Sequence, residues 1–353
     1  MQSHSLKYLP RLDVLRFFAA AAVVLYHVND WSPARPEKYA VTLPNLIFIQ
    51  GHAGVSLFLV MSGYLMARIF MKYPNATYWE FISNRLIRIA PLFLLLVMGS
   101  IALKDGSPDI FRAAINILTL QFNVDRSILT IAPLWTIATE FQFYLLMPLL
   151  AAIIAKQGLR AILLMCVVIC FFRFLVVFHS MQYATFSYNA VYFTLLGRFE
   201  QFAVGIFIAH RFADISKKAR NPIHLIISIA LIVAVEYAGA TNNWWGRDLY
   251  QSLFQSLYLV AEGAAFGYLI IAYLSLKTEF RVEYAFAYLG AASYSIYLLH
   301  ELIIRNYMSL VPSYLIGVRY DAMLIILPII CTVSVLSFKY FETPFLQFRK
   351  RYS

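Results

Sequence analysis

Residues 11–27 read RLDVLRFFAAAAVVLYH. From Val14 onward the run is apolar except for Arg16, and with its neighbours it reaches the roughly 20 residues that a membrane-crossing helix needs. Basic residues ahead of it and small residues at 19–22 give it the look of a secretory signal. The apolar run continues into Tyr26-His27, however, with no small-residue cleavage site after it, so it reads as a retained helix. At about 100° per residue, Arg16 and His27 are offset by three turns plus about 20°, and by about 16 Å along the axis. They share a face. Alone, Arg16 would snorkel to the headgroups and His27 would cap the far end. A charge in a bilayer costs at least a few kcal/mol, and the pair on one face favours function: an anion-binding cation at the mouth and a potential base further in. Asp13, three residues before Arg16, lies where it can pair with it.

The rest of the chain follows the same pattern. Of its 353 residues 61% are hydrophobic and only 13% charged, with a mean hydropathy of +0.69. Soluble chains carry about 25% charged residues, so a cytosolic enzyme, a disordered chain and a disulfide-built module are excluded. Ten apolar stretches are expected to span, at 12–29, 53–71, 86–103, 133–155, 160–178, 190–212, 221–239, 252–276, 284–307 and 322–341. They are continuous runs, not alternating strands, which predicts an all-α polytopic bundle forming one transmembrane domain over 1–353. The third stretch is short, and 110–122, interrupted by Arg112, Asn116 and Gln121, reads as an interfacial or re-entrant helix. With the N-terminus inside, most of the 29 Lys and Arg fall in inner segments, so the positive-inside rule puts both termini in the cytoplasm. The surplus of positive charge therefore needs no nucleic acid. Cys166, Cys170 and Cys331 all lie in spans and read as apolar filler. No metal-ligand set or internal repeat stands out, and no soluble-enzyme motif is present.

Other polar residues inside spans are the candidates for chemistry. Arg85 and Arg88, at i and i+3 before Pro91, form a pair of guanidiniums suited to gripping a phosphate, placed just ahead of an expected proline break. Glu140, near the outer end of its span with Tyr144 one turn on, could orient His27 or a substrate hydroxyl. Arg198 and Glu200 are about 200° apart on a helix and each needs a partner from elsewhere. In SYSIYLLHE, Ser293, Tyr297 and His300 form one stripe, with His300 either a second proton-handling group or a brace, and Glu301 on the stripe of Tyr294 and Tyr297. Gly51, Gly54, Ser62 and Gly63 permit close helix approach. His52 is expected to be solvated at the outer end, and Glu236 and Glu262 stand isolated without a role.

Taken in order, RLDVLRFFAAAAVVLYH (11–27), GVSLFLVMSGYL (54–65), RLIRIAPLF (85–93), LWTIATEFQFYLLMPLL (134–150), GRFEQFAVGIFIA (197–209), SYSIYLLH (293–300) and FETPF (341–345) resemble the acyltransferase 3 family of multi-pass bacterial membrane enzymes that O-acylate surface polysaccharides. Many members carry an acid where this chain has Ser56. The resemblance implies transfer of an acyl group, usually acetyl, from cytoplasmic acyl-CoA to a hydroxyl of a lipopolysaccharide O-antigen, exopolysaccharide or related glycan, in the bacterial inner membrane. It also implies an essential pair in Arg16 and His27, and a cytoplasmic CoA grip in Arg85 and Arg88. The expected mechanism makes His27 the general base or transient acyl carrier, with Glu140 orienting the imidazole or the acceptor. An extended acyl-phosphopantetheine arm of roughly 20 Å would cover the Arg16–His27 separation. Lacking the C-terminal esterase-like domain of some members, the chain reads as a stand-alone form, with a separate delivery protein as a further partner. The competing reading is a transporter or flippase for a lipid-linked glycan.

Overall fold

The computed structural model describes residues 8–32, 40–102, 134–182, 192–242, 249–278, 280–311 and 314–352. The expected interfacial helix at 110–122, and the opening of the fourth and sixth spans at 133 and 190, lie outside them. The described residues form helices and no strands. They are α1 (Pro10–Asp30), α2 (Gly54–Lys72, entered through short helical turns from Leu43), α3 (Tyr78–Ala102), α4 (Leu134–Gln157) and α5 (Leu159–Gln182). The second half comprises α6 (Leu195–Ser216), α7 (Ile223–Thr241), α8 (Leu249–Ser275), α9 (Arg281–Ala291), α10 (Ser293–Leu310) and α11 (Val318–Leu346). Each of the ten expected spans coincides with helix, the ninth being divided at Ala292.

Eight of these stretches, among the described residues, are long and apolar enough to cross a bilayer. The two long helices that fall short, α6 and α10, are diluted by charges buried in the bundle: Arg198 and Glu200 in one, His300 and Glu301 in the other. Burial runs opposite to apolarity. In α1 72% of the spanning window is buried, whereas in the more apolar α5 and α7 the share is 17%. Leu163, Leu164, Val167, Val168, Phe171 and Phe172 of α5 face outward, as a lipid-facing surface requires.

Two features fix how the core helices meet. On α2 and α6, Gly63 and Gly205 lie against each other's partner backbones: a Cβ at Gly63 would overlap the Phe202 carbonyl, and one at Gly205 the Val60 carbonyl. This is the close approach that small residues allow in a membrane. The third helix corrects the sequence reading. It begins at Tyr78, well before the expected 86, because Thr77 and Glu80 form a reciprocal capping box, with Glu80 N–H donating to Thr77 Oγ1 at 3.2 Å and Thr77 N–H to Glu80 Oε2 at 2.9 Å. It also runs unbroken through Pro91. Arg85 and Arg88 are therefore about two to three turns inside a continuous helix, not ahead of a break.

One end of the bundle gathers both ends of the chain. Arg11 at the start of α1 donates to the carbonyls of Tyr273, Leu276 and Thr278, satisfying acceptors left over at the C-terminal end of α8. Asn84 near the start of α3 donates from Nδ2 to the Lys350 carbonyl at 2.9 Å and accepts from the Lys350 N–H at 2.8 Å. Tyr352 packs on Tyr73. These segments are those that the charge count assigns to the cytoplasm.

Candidate active site

A pocket opens among α1, α2, α3, α4 and α10. Arg16, Arg85 and Arg88 line it together with Ser62, Thr136, Glu140, Tyr144, Ser293, Tyr294 and Tyr297, around a void of ≈ 80 Å³. That is well above the roughly 10–15 Å³ that a cavity needs to hold one water. The earlier start of α3 explains why the arginine pair reaches it. Arg16 is paired with Asp13, as the i, i+3 spacing predicts. Arg85 lies over the rings of Phe81 and Tyr144, with its Cζ 5.3 and 5.4 Å from their centroids. Its Nε is buried with no acceptor. Tyr294 donates to the Ile89 carbonyl at 2.6 Å, tying α10 to α3 two residues before Pro91.

Glu140 sits inside this basic pocket. Ser62 Oγ donates to it at 2.7 Å and Tyr144 Oη at 2.5 Å, so its carboxylate is committed to two hydroxyls. Glu140 is expected from the sequence to orient the His27 imidazole or the acceptor; the His27 ring has a partner on another helix. His27 Nδ1 lies 2.9 Å from His300 Nε2, and the two rings stack with centroids 4.9 Å apart. Trp31 also stacks on His27, at 4.3 Å.

The tautomers follow from the acceptors. His300 is fully buried, and its Nδ1 is 2.6 Å from the Tyr297 carbonyl, which can only accept. A neutral His300 therefore carries its proton on Nδ1 and accepts at Nε2. His27 Nδ1 must then donate, which leaves the lone pair of His27 on Nε2. The stripe Ser293–Tyr297–His300 thus runs alongside α1 from the Arg16 pocket, where Ser293 and Tyr297 form the wall, to His27.

A second polar cluster lies among α2, α6, α7 and α8. Arg198, 1% exposed, donates from Nε to the Tyr192 carbonyl at 2.8 Å and from Nη1 to Ser56 at 3.2 Å and to Gln201 at 3.3 Å. Its guanidinium stacks on Tyr192, with Cζ 3.9 Å from the ring centroid. Ser56 Oγ donates to Glu262, as does Gln201 Nε2 at 3.0 Å, and Tyr258 donates to Glu236. The two carboxyls lie near each other, and the Oε1 of each is buried without a partner. Glu236 and Glu262, read from sequence as isolated, are the acidic side of this network. Ser56 stands where the family resemblance expects an acid, and Glu262 brings a carboxylate to that place from another helix. The readable signal was a pair of acids in apolar helices with no cation within one turn.

Arg198 and Glu200 face different partners, as their 200° separation requires. Glu200 bonds Arg173 at 2.5 and 3.1 Å. Cys170 Sγ donates to the same carboxylate at 2.9 Å, so it is part of this ion pair and not apolar filler. His52 is not solvated either: it is half-buried, with its ring edge-on to Tyr26 and Tyr192. Glu301 pairs with Arg305 at 2.7 Å.

A many-helix membrane domain with a basic pocket and a stacked histidine pair defines a class, and comparison of sequences gives the family. The profile of the family described as an acyltransferase domain matches residues 9–340, and the chain belongs to that family. It is similar to O-acetyltransferase OatA of Staphylococcus aureus (strain NCTC 8325 / PS 47), 25% identical over 375 residues, covering 97% of this chain and 58% of OatA. A further S. aureus protein (strain COL), SACOL0978, provisionally named an O-acetyltransferase, is 25% identical over 377 residues, covering 96% of this chain and 58% of its own length. The chain thus spans less than two thirds of the curated relatives it matches. No solved structure matches it.

Proposed function

We propose that this chain is an O-acyltransferase of the bacterial cytoplasmic (inner) membrane, which moves an acyl group, in the simplest case acetyl, from acyl-CoA to a hydroxyl of a surface glycan. Family membership and the names of the relatives support acyl transfer. The observation that carries the reading is the convergence of Arg16, Arg85 and Arg88 on one pocket whose Tyr297 wall leads through His300 to His27. In this reading the arginines hold the phosphates of the donor and its thioester arm extends toward His27. His27 Nε2 accepts the proton of the acceptor hydroxyl as the oxygen attacks the thioester carbonyl. The C–O bond forms and the C–S bond breaks. Coenzyme A leaves as a thiolate and collects the proton, so none is consumed overall. His300 is a positioning residue that fixes the His27 tautomer, and Glu140, steadied by Ser62 and Tyr144, orients groups entering the pocket.

The test is incubation of labelled acetyl-CoA with membranes carrying the wild type or His27→Ala. Loss of a general base lowers the rate by about 10²–10⁴-fold. His300→Gln should lower kcat with the acetyl-CoA KM unchanged and displace the pH profile. A folded His27→Ala protein that transfers at the wild-type rate overturns the base assignment. A wild type that labels no glycan, yet moves a lipid-linked glycan across the membrane, favours the flippase.

A further inference from the structure

The basic pocket has a fourth arginine in reach, and it comes from the end of the described chain. Arg349 follows α11 on a tail that is fastened twice: Asn84 holds the Lys350 backbone through both its N–H and its C=O, and Tyr352 packs on Tyr73. Asn84 is the residue immediately before Arg85. The latch therefore fixes the tail against the very turn of α3 that carries the arginine pair.

Arg349 is half-buried there, close enough to Arg88 and Arg85 for their charges to act on it. Burial first, and then repulsion from Arg88 and Arg85, push the pKa of its guanidinium down. Its Nε, like that of Arg85, is buried without an acceptor. Nearby carboxylates do not answer this need: Asp13 is paired with Arg16, Glu140 accepts from two hydroxyls, and Glu342 accepts from Ser295. Two orphaned guanidinium donors on neighbouring, mutually repelling arginines call for an anion with several oxygens between them.

We propose that Arg349 is a phosphate ligand of the acyl donor, and that the tail latched to Asn84 completes the nucleotide-binding side of the pocket. The proposal rests on the acyl-CoA reading above and adds to it a segment outside the spanning helices. A phosphate could also come from a lipid headgroup, so the test separates the two sources.

The experiment is direct titration of coenzyme A into purified protein in nanodiscs, once in zwitterionic phosphatidylcholine and once with phosphatidylglycerol added. Wild type, Arg349→Gln, Arg349→Lys, Asn84→Ala and the Arg85→Gln/Arg88→Gln double variant are compared, with thermal melting as a check on folding. Arg349→Gln should weaken coenzyme A by roughly 10- to 100-fold, the loss of a hydrogen bond to a charged group. Its melting temperature should be unchanged or raised, because a repelling charge is gone. Asn84→Ala should weaken binding less, and Arg349→Lys should recover part of it. If Arg349→Gln binds like wild type while the double variant is weakened, the tail proposal fails and the donor reading stands. If wild type binds no coenzyme A in either disc, both fail. Weakening confined to phosphatidylglycerol discs would make a lipid headgroup the ligand and overturn the assignment, as would an equal loss of melting temperature and affinity that Arg349→Lys does not rescue.

Discussion

Two groups of buried charge meet α2 at different positions, one at Ser56 and one at Ser62, and they are built in opposite ways. The cluster around Arg198 is closed. Its cation faces Glu262 through Ser56 and Gln201, its aromatic neighbour Tyr192 covers one face, and Glu236 is held by Tyr258. The pocket around Arg85 is open and unfinished: three arginines crowd together, and the Nε–H groups of Arg85 and of nearby Arg349 have no acceptor. The first arrangement keeps itself intact; the second is left for something that arrives. Both use the same residue type, so arginine in a membrane span does not by itself signal binding. Arg198 Nη2 is also buried without an acceptor, so what distinguishes the two is the company of acids: a single arginine stands beside Glu262 and Glu236 in the first, whereas three arginines line one pocket in the second.

Replacing one member of each group should separate them most sharply. Arg198→Met strands the Glu262 carboxylate in the bundle, and breaking a buried pair in this way costs about 3–5 kcal/mol. Thermal unfolding in detergent should show it, and adding Glu262→Gln on the same chain should return much of the loss. Arg85→Gln removes a donor that has no partner, so the melting temperature should stay near the wild type while coenzyme A binding falls. Equal destabilisation by the two changes would end the distinction.

Next in size is a change in the wall the two regions share. α2 contributes Ser56 to the closed cluster and Ser62 to the pocket, and it rides on α6 through Gly63 and Gly205. Gly205→Ala places a methyl group on the Val60 carbonyl, so the helices must separate, at about 1–3 kcal/mol for an overpacked contact. Because the wall moves as a unit, stability and donor affinity should fall together, unlike either arginine variant. A change in only one would mean that the regions are mechanically independent.

Much of this was legible from the chain because the controlling periodicities are local. Apolar runs of bilayer length gave the ten helices, and a turn of 100° per residue put Arg16 and Asp13 together and sent Arg198 and Glu200 to different partners. The start of α3 was obscured by polarity, since Glu80, Asn84, Arg85 and Arg88 ended the apolar run early. The capping pair Thr77 and Glu80 was nevertheless there to be read. What could not be read were contacts between helices remote in sequence. His27 meets His300 across 273 residues, and Ser56 meets Glu262 across 206. No spacing rule reaches so far, so Glu262 seemed to be without a partner and the contact of His27 with His300 was not foreseen.

The smallest expected effect tests how the closed cluster balances its charge. Two carboxyls buried near each other resist being ionised together, because like charges in a low dielectric repel strongly. One of Glu236 and Glu262 is therefore expected to hold a proton. Glu262 receives donors from Ser56 and Gln201 on Oε2, which favour its anion. Glu236 receives only the Tyr258 hydroxyl on Oε2, and the Oε1 of each acid is buried without a partner. The proton therefore belongs to Glu236, and the cluster holds one guanidinium, one carboxylate and one neutral acid. Glu236→Gln keeps an acceptor for Tyr258 and places a neutral amide beside Glu262. It should cost less than about 1 kcal/mol, and an infrared band from a protonated carboxylic acid should disappear with it. Glu262→Gln removes the charge that Arg198 needs and should cost several times more. If the two replacements prove equal, the proton is shared without preference and the asymmetry argued from the donors is wrong.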